Sequence, residues 1–402
     1  MYQNFVSSVP RSLILLLLLS CITYAVSAQE GDFVPKTSVE YAFGQELRFF
    51  INARNAADIE KITLSLRPER SNNLYVMDVP FEPGETISAT HSIDVSDLNL
   101  EPYSHVFYFW ELQSSDGIHK TPEEGFDYED DRFDWQQMTQ NGVTAHWTGS
   151  GPFFGQDVLT VVNEALARLA TLLPLEQISP FGVYVYPSSA DLQAGLRLAE
   201  VGGEDTSHPE LGVILVTAVN PQSAIADLGQ SLPYELAQLL LYRTAGERYE
   251  NLPWWLTEGL AINVQAKPHP RHTQLLDDAI KSAKTIPVWQ LCQKTVRIGD
   301  RALLASAQSN SLVSFILQRY GDQALADLIS TYGLGDDCET GMGRVIGISL
   351  DELEKAWLKA QQPSSALSQF FTDSGLWLLL LLAGSALMVL IIWQSWHGKK
   401  PE

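Results

Sequence analysis

The run at residues 376–396 constrains this chain more than any other feature. It carries no Asp, Glu, Lys or Arg, and Gly384 and Ser385 interrupt it only near its middle. A helix of about 20 such residues crosses the hydrocarbon core of a bilayer. Trp377, Trp393 and Trp396 sit near its ends, where indole rings favour the membrane interface. Lys399 and Lys400 follow the run and Asp373 precedes it, so the positive-inside rule expects a cytoplasmic C-terminus at residues 397–402. The other end of the chain agrees with this orientation. Residues 1–28 read as a secretory signal, with Arg11 before a short leucine core at residues 13–19 and small residues at Val26, Ser27 and Ala28. Residues 18–21 (LLSC) also resemble a lipoprotein cleavage box, in which Cys21 would become a lipidated N-terminus. The bulky second residue and the better cleavage site downstream favour the first reading. The expectation is a single-pass cell-membrane protein with most of its chain outside the cytoplasm.

The part between signal and anchor is long enough for two domains with cores of their own. Its composition narrows the partners. The formal net charge is -22, which makes nucleic acid and anionic lipid surfaces poor partners. Three cysteines occur. With Cys21 inside the leader, Cys292 and Cys338 form an even pair in an oxidising compartment, and a disulfide between them is expected.

Three changes of pattern divide the chain. Residues 47–53 (LRFFINA), 59–66 (IEKITLSL) and 104–112 (SHVFYFWEL) alternate apolar with polar, separated by turn-forming clusters. This predicts a small antiparallel β-sandwich of the immunoglobulin-like kind over residues 29–118, without the cysteine pair of a true immunoglobulin domain. Residues 119–142 are rich in Asp and Glu and poor in aliphatics; their acids lack the regular spacing of a calcium loop, so a solvated linker is expected. From Val143 onward, strands at residues 143–147, 181–186 and 211–218 are mixed with an amphipathic helix from Phe154, and the rest is mostly helical to Leu358. A few strands followed by a run of helices indicate an α+β domain over residues 143–360. Residues 361–375 read as a short stalk.

The informative stretch is residues 231–265 (SLPYELAQLLLYRTAGERYENLPWWLTEGLAINVQ). Pro233 suits the first turn of one helix, Gly246 its end, and Pro253 opens a second. The stretch resembles the peptidase-MA-like, or gluzincin, zinc metallopeptidase family. In that family the first helix carries His-Glu-x-x-His and the second a glutamate in a W-L-x-E-G-L-A setting. Histidines at i and i+4 share a helix face and bind zinc, the adjacent glutamate acts on the zinc-bound water, and the distant glutamate completes the ligand set. Here Trp255, Leu256, Glu258, Gly259, Leu260 and Ala261 match the second segment, and residues 303–321 (LLASAQSNSLVSFILQRYG) resemble the helix that follows it. Glu235 stands at the general-base position. The two histidine positions hold Tyr234 and Gln238.

Those departures carry the chemistry. A neutral phenol, with an ordinary pKa of about 10, is a poor zinc ligand. A carboxamide oxygen is poorer still. Of the expected ligands only Glu258 remains, so no zinc or other cofactor is expected, and Glu235 is a vestigial base. His208, His269 and His272 fall in loop-like sequence and are expected to be solvated. In place of a metal, Tyr234 and Gln238 are expected to hydrogen-bond a buried Glu235. The resemblance implies a pseudopeptidase that binds peptide or protein. An active metallopeptidase with an unusual site and a structural protein with a closed cleft are the alternatives.

Overall fold

A computed structural model describes residues 35–54, 56–70, 73–98, 100–149, 151, 153–173, 179–199, 207–218, 224–265, 269–293, 301–361, 384–385 and 387–393. The expected leader (1–28), Cys21, most of the 361–375 stalk and the tail at 397–402 lie outside these residues. So does most of the apolar run, of which residues 384–385 and 387–393 are helical. Among the described residues no helix is long and apolar enough to cross a membrane. The chain forms two compact units, Met1–Arg132 with Leu198–Val201, and Phe133–Arg197 with Gly202–Glu402.

The first unit holds strands β1 (Lys36–Ala42), β2 (Glu46–Arg54), β3 (Ile59–Pro68), β4 (Tyr75–Asp78), β5 (Thr86–Asp94), β6 (Ser104–Ser114), β7 (Gly117–Lys120) and β8 (Glu124–Tyr128). One sheet runs β1-β2-β5 and the other β4-β3-β6-β7, with β8 also pairing β6, and all pairs are antiparallel. Period-two alternation sets the inner faces. Leu47, Phe49 and Ile51 of β2, Leu64 and Leu66 of β3, and Val106, Tyr108 and Trp110 of β6 are buried. The sheets meet where the Phe49 and Tyr108 rings lie edge to face, 5.1 Å between centroids.

The acidic stretch at 119–142 departs from the solvated linker that its composition predicts. It contains β8 and a further strand, β9 (Gln136–Gln140). The reason lies in Phe126 and Tyr128, which alternate with the acids and turn inward. Tyr128 is buried, and its hydroxyl oxygen accepts the Gly44 N–H at 2.7 Å. The acids find partners as well. Glu124 accepts from the Tyr108 hydroxyl at 2.7 Å, Asp131 accepts the Phe43 N–H at 3.1 Å, and the fully buried Asp130 takes two bonds from the Arg132 guanidinium.

The second unit begins with a mixed sheet, β12-β11-β10-β9. β10 (Val143–Trp147), β11 (Phe181–Tyr186) and β12 (Ile214–Thr217) are parallel, and β9 joins β10 antiparallel. The helices are α1 (Phe154–Leu169), α2 (Ser189–Leu198), α3 (Ala224–Ala245), α4 (Trp254–Asn263), α5 (Pro270–Lys281), α6 (Val288–Leu291), α7 (Ala302–Tyr320), α8 (Asp322–Gly333), α9 (Cys338–Val345) and α10 (Leu350–Gln361). Val143, Ala145, Val183 and Val185 on the sheet share one core with Val158, Leu159 and Val162 of α1, and with Leu228, Leu232 and Leu236 of α3. The order of elements is α+β, as expected.

Helix α3 starts earlier than its sequence suggests. Pro233 lies inside it rather than in its first turn. An internal proline costs about 3 kcal/mol through the lost backbone bond and ring clash. Burying each of Leu228, Leu232 and Leu236, which recur every four residues, returns about 1.5–3 kcal/mol. Packing of the stripe therefore outweighs the proline. Helix α4 is buried on nearly every side, from Trp254 through Ile262. Gly259 permits this, because a Cβ there would clash with the backbone carbonyl group of Ser309 on α7.

Candidate functional site

The site sits where α3, α4 and α7 meet. Tyr234 and Gln238 are one helical turn apart on α3 and so share a face. Glu258 lies in the middle of α4 and is only 9 % exposed. Its two oxygens are both committed. The Tyr234 hydroxyl donates to Oε2 at 2.7 Å, and the Ser306 hydroxyl of α7 donates to Oε1 at 2.6 Å. Gln238, also buried, accepts the Tyr249 hydroxyl proton on Oε1 at 2.6 Å. Glu235 points elsewhere on α3 and accepts from the Ser207 hydroxyl at 2.5 Å.

The three residues carried over to the zinc-ligand positions thus converge, but their bonds differ from those expected. Tyr234 donates to Glu258 rather than to Glu235. Gln238 is an acceptor for Tyr249 rather than a donor to Glu235. Glu235 is held by Ser207. A buried carboxylate left without donors is costly, and the Tyr234 and Ser306 hydroxyls satisfy one oxygen of Glu258 each. Ser207 and Tyr249 carry no motif signal, and Ser306 falls in the small-residue lead-in to α7.

Electrostatics follow from burial. Burial raises the Tyr234 phenol well above its ordinary range, and the neighbouring Glu258 charge adds to the rise. Tyr234 is therefore a neutral donor, not a phenolate. Burial also raises the Glu235 carboxyl to about 7; Ser207 and His208 oppose the rise and Glu258 reinforces it.

Of the three histidines expected to be solvated, His269 is exposed, whereas the rings of His208 and His272 are largely covered. The His208 ring is largely covered and lies 3.0 Å from Glu210. His269 caps α5, its Nδ1 accepting the Arg271 N–H at 3.2 Å. His272 lies within α5 and is buried. Pro270 opens this helix, because a proline costs nothing at a first helical position whose N–H would be unpaired. Among the described residues no group of three or more His, Cys, Asp or Glu side chains could hold a metal ion. The positions Tyr234, Gln238 and Glu258 offer neither imidazole nor thiolate, and their side-chain oxygens are already hydrogen-bonded, so the donors match a tetrahedral zinc centre poorly.

The fold and this triangle of positions have a counterpart among known families. A Peptidase MA superfamily model matches residues 161–362, half of the chain. The chain belongs to the Peptidase MA superfamily. The matched span contains α3, α4 and α7, and with them Tyr234, Glu235, Gln238 and Glu258. No curated protein matches the chain. Among solved structures, a bromine derivative of BhCBM56 aligns at 9 % identity and a TM-score of 0.19, over 24 % of this chain and 95 % of that one. A structure described as a myokine aligns at 11 % identity and 0.20, over 25 % and 99 %. Purple acid phosphatase PPD1 from yellow lupin (Lupinus luteus) seeds aligns at 10 % identity and 0.19, over 50 % and 40 %. Scores this low carry no argument about fold or function.

Cys292 and Cys338 form a disulfide, with their Cα atoms 6.2 Å apart. It joins the end of α6 to the start of α9.

Proposed function

We propose that this Peptidase MA superfamily member is a membrane-anchored, extracytoplasmic pseudopeptidase that holds no zinc and binds peptide or protein. The observation that carries the reading is the Tyr234–Glu258 hydrogen bond. In the zinc enzymes these two positions supply ligands to one metal. Here a phenol, kept neutral by burial, donates a hydrogen bond to the carboxylate, and Ser306 occupies the other oxygen. Without imidazole or thiolate nothing generates a zinc-bound hydroxide, and Glu235 has no activated water to work on. Strand β12, at the end of its sheet, suits an extended peptide added by backbone hydrogen bonds. The two-sheet unit is read as an immunoglobulin-like module that precedes the peptidase-like one, and residues 376–396 as the anchor.

A second reading has its own support. Glu258 is nearly covered and both its oxygens are used, which suits a structural protein whose cleft has closed.

Metal content tests the zinc claim. The purified natural chain is saturated with zinc, freed of excess and assayed beside a Tyr234→His plus Gln238→His variant. The expected outcome is no retained zinc in the natural chain and about one equivalent in the variant, whose ligand set the two histidines restore. Near-stoichiometric zinc in the natural chain overturns the reading in favour of a working metallopeptidase with an unusual site.

A further inference from the structure

The first turn of α4 is tied to the disulfide at two points. A helix leaves its first N–H groups without intrahelical partners. The Trp254 N–H is taken by the Cys292 carbonyl oxygen at 3.4 Å. The next residue, Trp255, is fully buried, and its indole N–H lies 3.4 Å from the Cys338 sulfur. Both cysteines of one bridge therefore touch consecutive residues at the head of α4. Glu258 follows one turn after Trp254, on the same helix face. The bridge closes a sequence separation of 46 residues, and the enclosed segment contains α7 with Ser306, the second partner of Glu258. Both cysteines are only partly buried, packed against the edge of the core; exchange with a thiolate needs such access.

We propose that the Cys292–Cys338 disulfide is a reducible clamp on α4, so that a dithiol that opens it loosens the hydrogen-bonded cluster around Glu258. One thiolate of the reductant attacks a bridge sulfur, forms a mixed disulfide and releases the other cysteine as thiolate. The second thiol of the reductant then displaces the bound cysteine. The products are the Cys292 and Cys338 thiols and the oxidised reductant, with two electrons passed to the bridge. The freed Cys338 side chain can turn about its Cα–Cβ bond and leave the Trp255 indole. Closure of the segment that carries α7 is lost at the same time. The inference rests on the placement of α4 and is independent of whether the site binds peptide or retains zinc.

Amide hydrogen exchange on the full chain, oxidised and then reduced with dithiothreitol, tests it. Amides of α4 should exchange on the order of tenfold faster after reduction, while β10 and β11 stay unchanged as an internal control. A second reading uses fluorescence, because a disulfide in contact with an indole quenches it by accepting an electron. Reduction should raise the emission, and Trp255→Phe should remove that rise. A Cys292→Ser plus Cys338→Ser variant should exchange like the reduced chain without reductant. The proposal is overturned if α4 exchange stays within about twofold of the oxidised value. It is equally overturned if β10 and β11 speed up together with α4, since the bridge is then a global staple rather than a local clamp.

Discussion

Burial gives Glu235 its carboxyl pKa of about 7, and that value makes a testable link between one residue and the stability of the fold. Below the ordinary Glu range, near 4.5, the carboxyl is protonated in both folded and unfolded chains. Between there and about 7 the folded chain keeps a proton that the unfolded chain has released, so this group makes stability fall as pH rises through that window and level off above it. Glu235→Gln keeps an oxygen for Ser207 and removes the charge. Denaturant unfolding should find the variant more stable than the natural chain by roughly 1–3 kcal/mol at pH 8, with the difference shrinking toward pH 4. A difference that does not change with pH would mean that Glu235 is not the titrating group. Tyr234, Glu235, Gln238 and Glu258 were legible in the sequence because helical spacing and the W-L-T-E-G-L-A segment mark them. Ser207, Tyr249 and Ser306 were not. A hydroxyl's partner depends on where distant segments come to rest, and no local pattern encodes it.

Helix α4 shows what an element demands of single positions. Its buried residues run almost unbroken, so it lacks the polar face that would make it read as an amphipathic surface helix. Its approach to α7 depends on Gly259, whose absent side chain leaves room for the Ser309 carbonyl at a separation no Cβ tolerates. Gly259→Ala should destabilise the chain by about 1–3 kcal/mol, as overpacked core positions do, and should also part Glu258 from Ser306. Thermal unfolding checks the first effect; an unchanged midpoint would mean that α7 shifts aside at no cost. The boundaries of α3 and α5 teach the complementary lesson. The same residue type, proline, is carried through the interior of α3 by a buried leucine stripe yet opens α5, so proline alone does not fix where a helix begins.

For the whole molecule, the expected orientation comes from the two ends of the sequence and the fold from the middle. If residues 376–396 anchor the chain, it should stay with membranes through alkaline carbonate washing, and a chain lacking residues 376–402 should be released. Release of the full chain by the wash would refute the anchor. The net charge of -22 bears on solubility and on the partners it repels, and does not select a fold.

By itself the sequence determined the α+β order, the superfamily and the four motif positions Tyr234, Glu235, Gln238 and Glu258, because periodicity and a local motif are properties of neighbouring residues. It also paired Cys292 with Cys338 by parity alone. The tertiary structure decided the rest. It turned the acidic stretch at 119–142 into strands, since the inward aromatic rings outweigh the surface acids. It covered the His208 ring and buried His272, and it aimed the Tyr234 hydroxyl at Glu258 instead of Glu235. Each of these outcomes depends on which groups are brought together across dozens of residues, and that is settled only when the core closes.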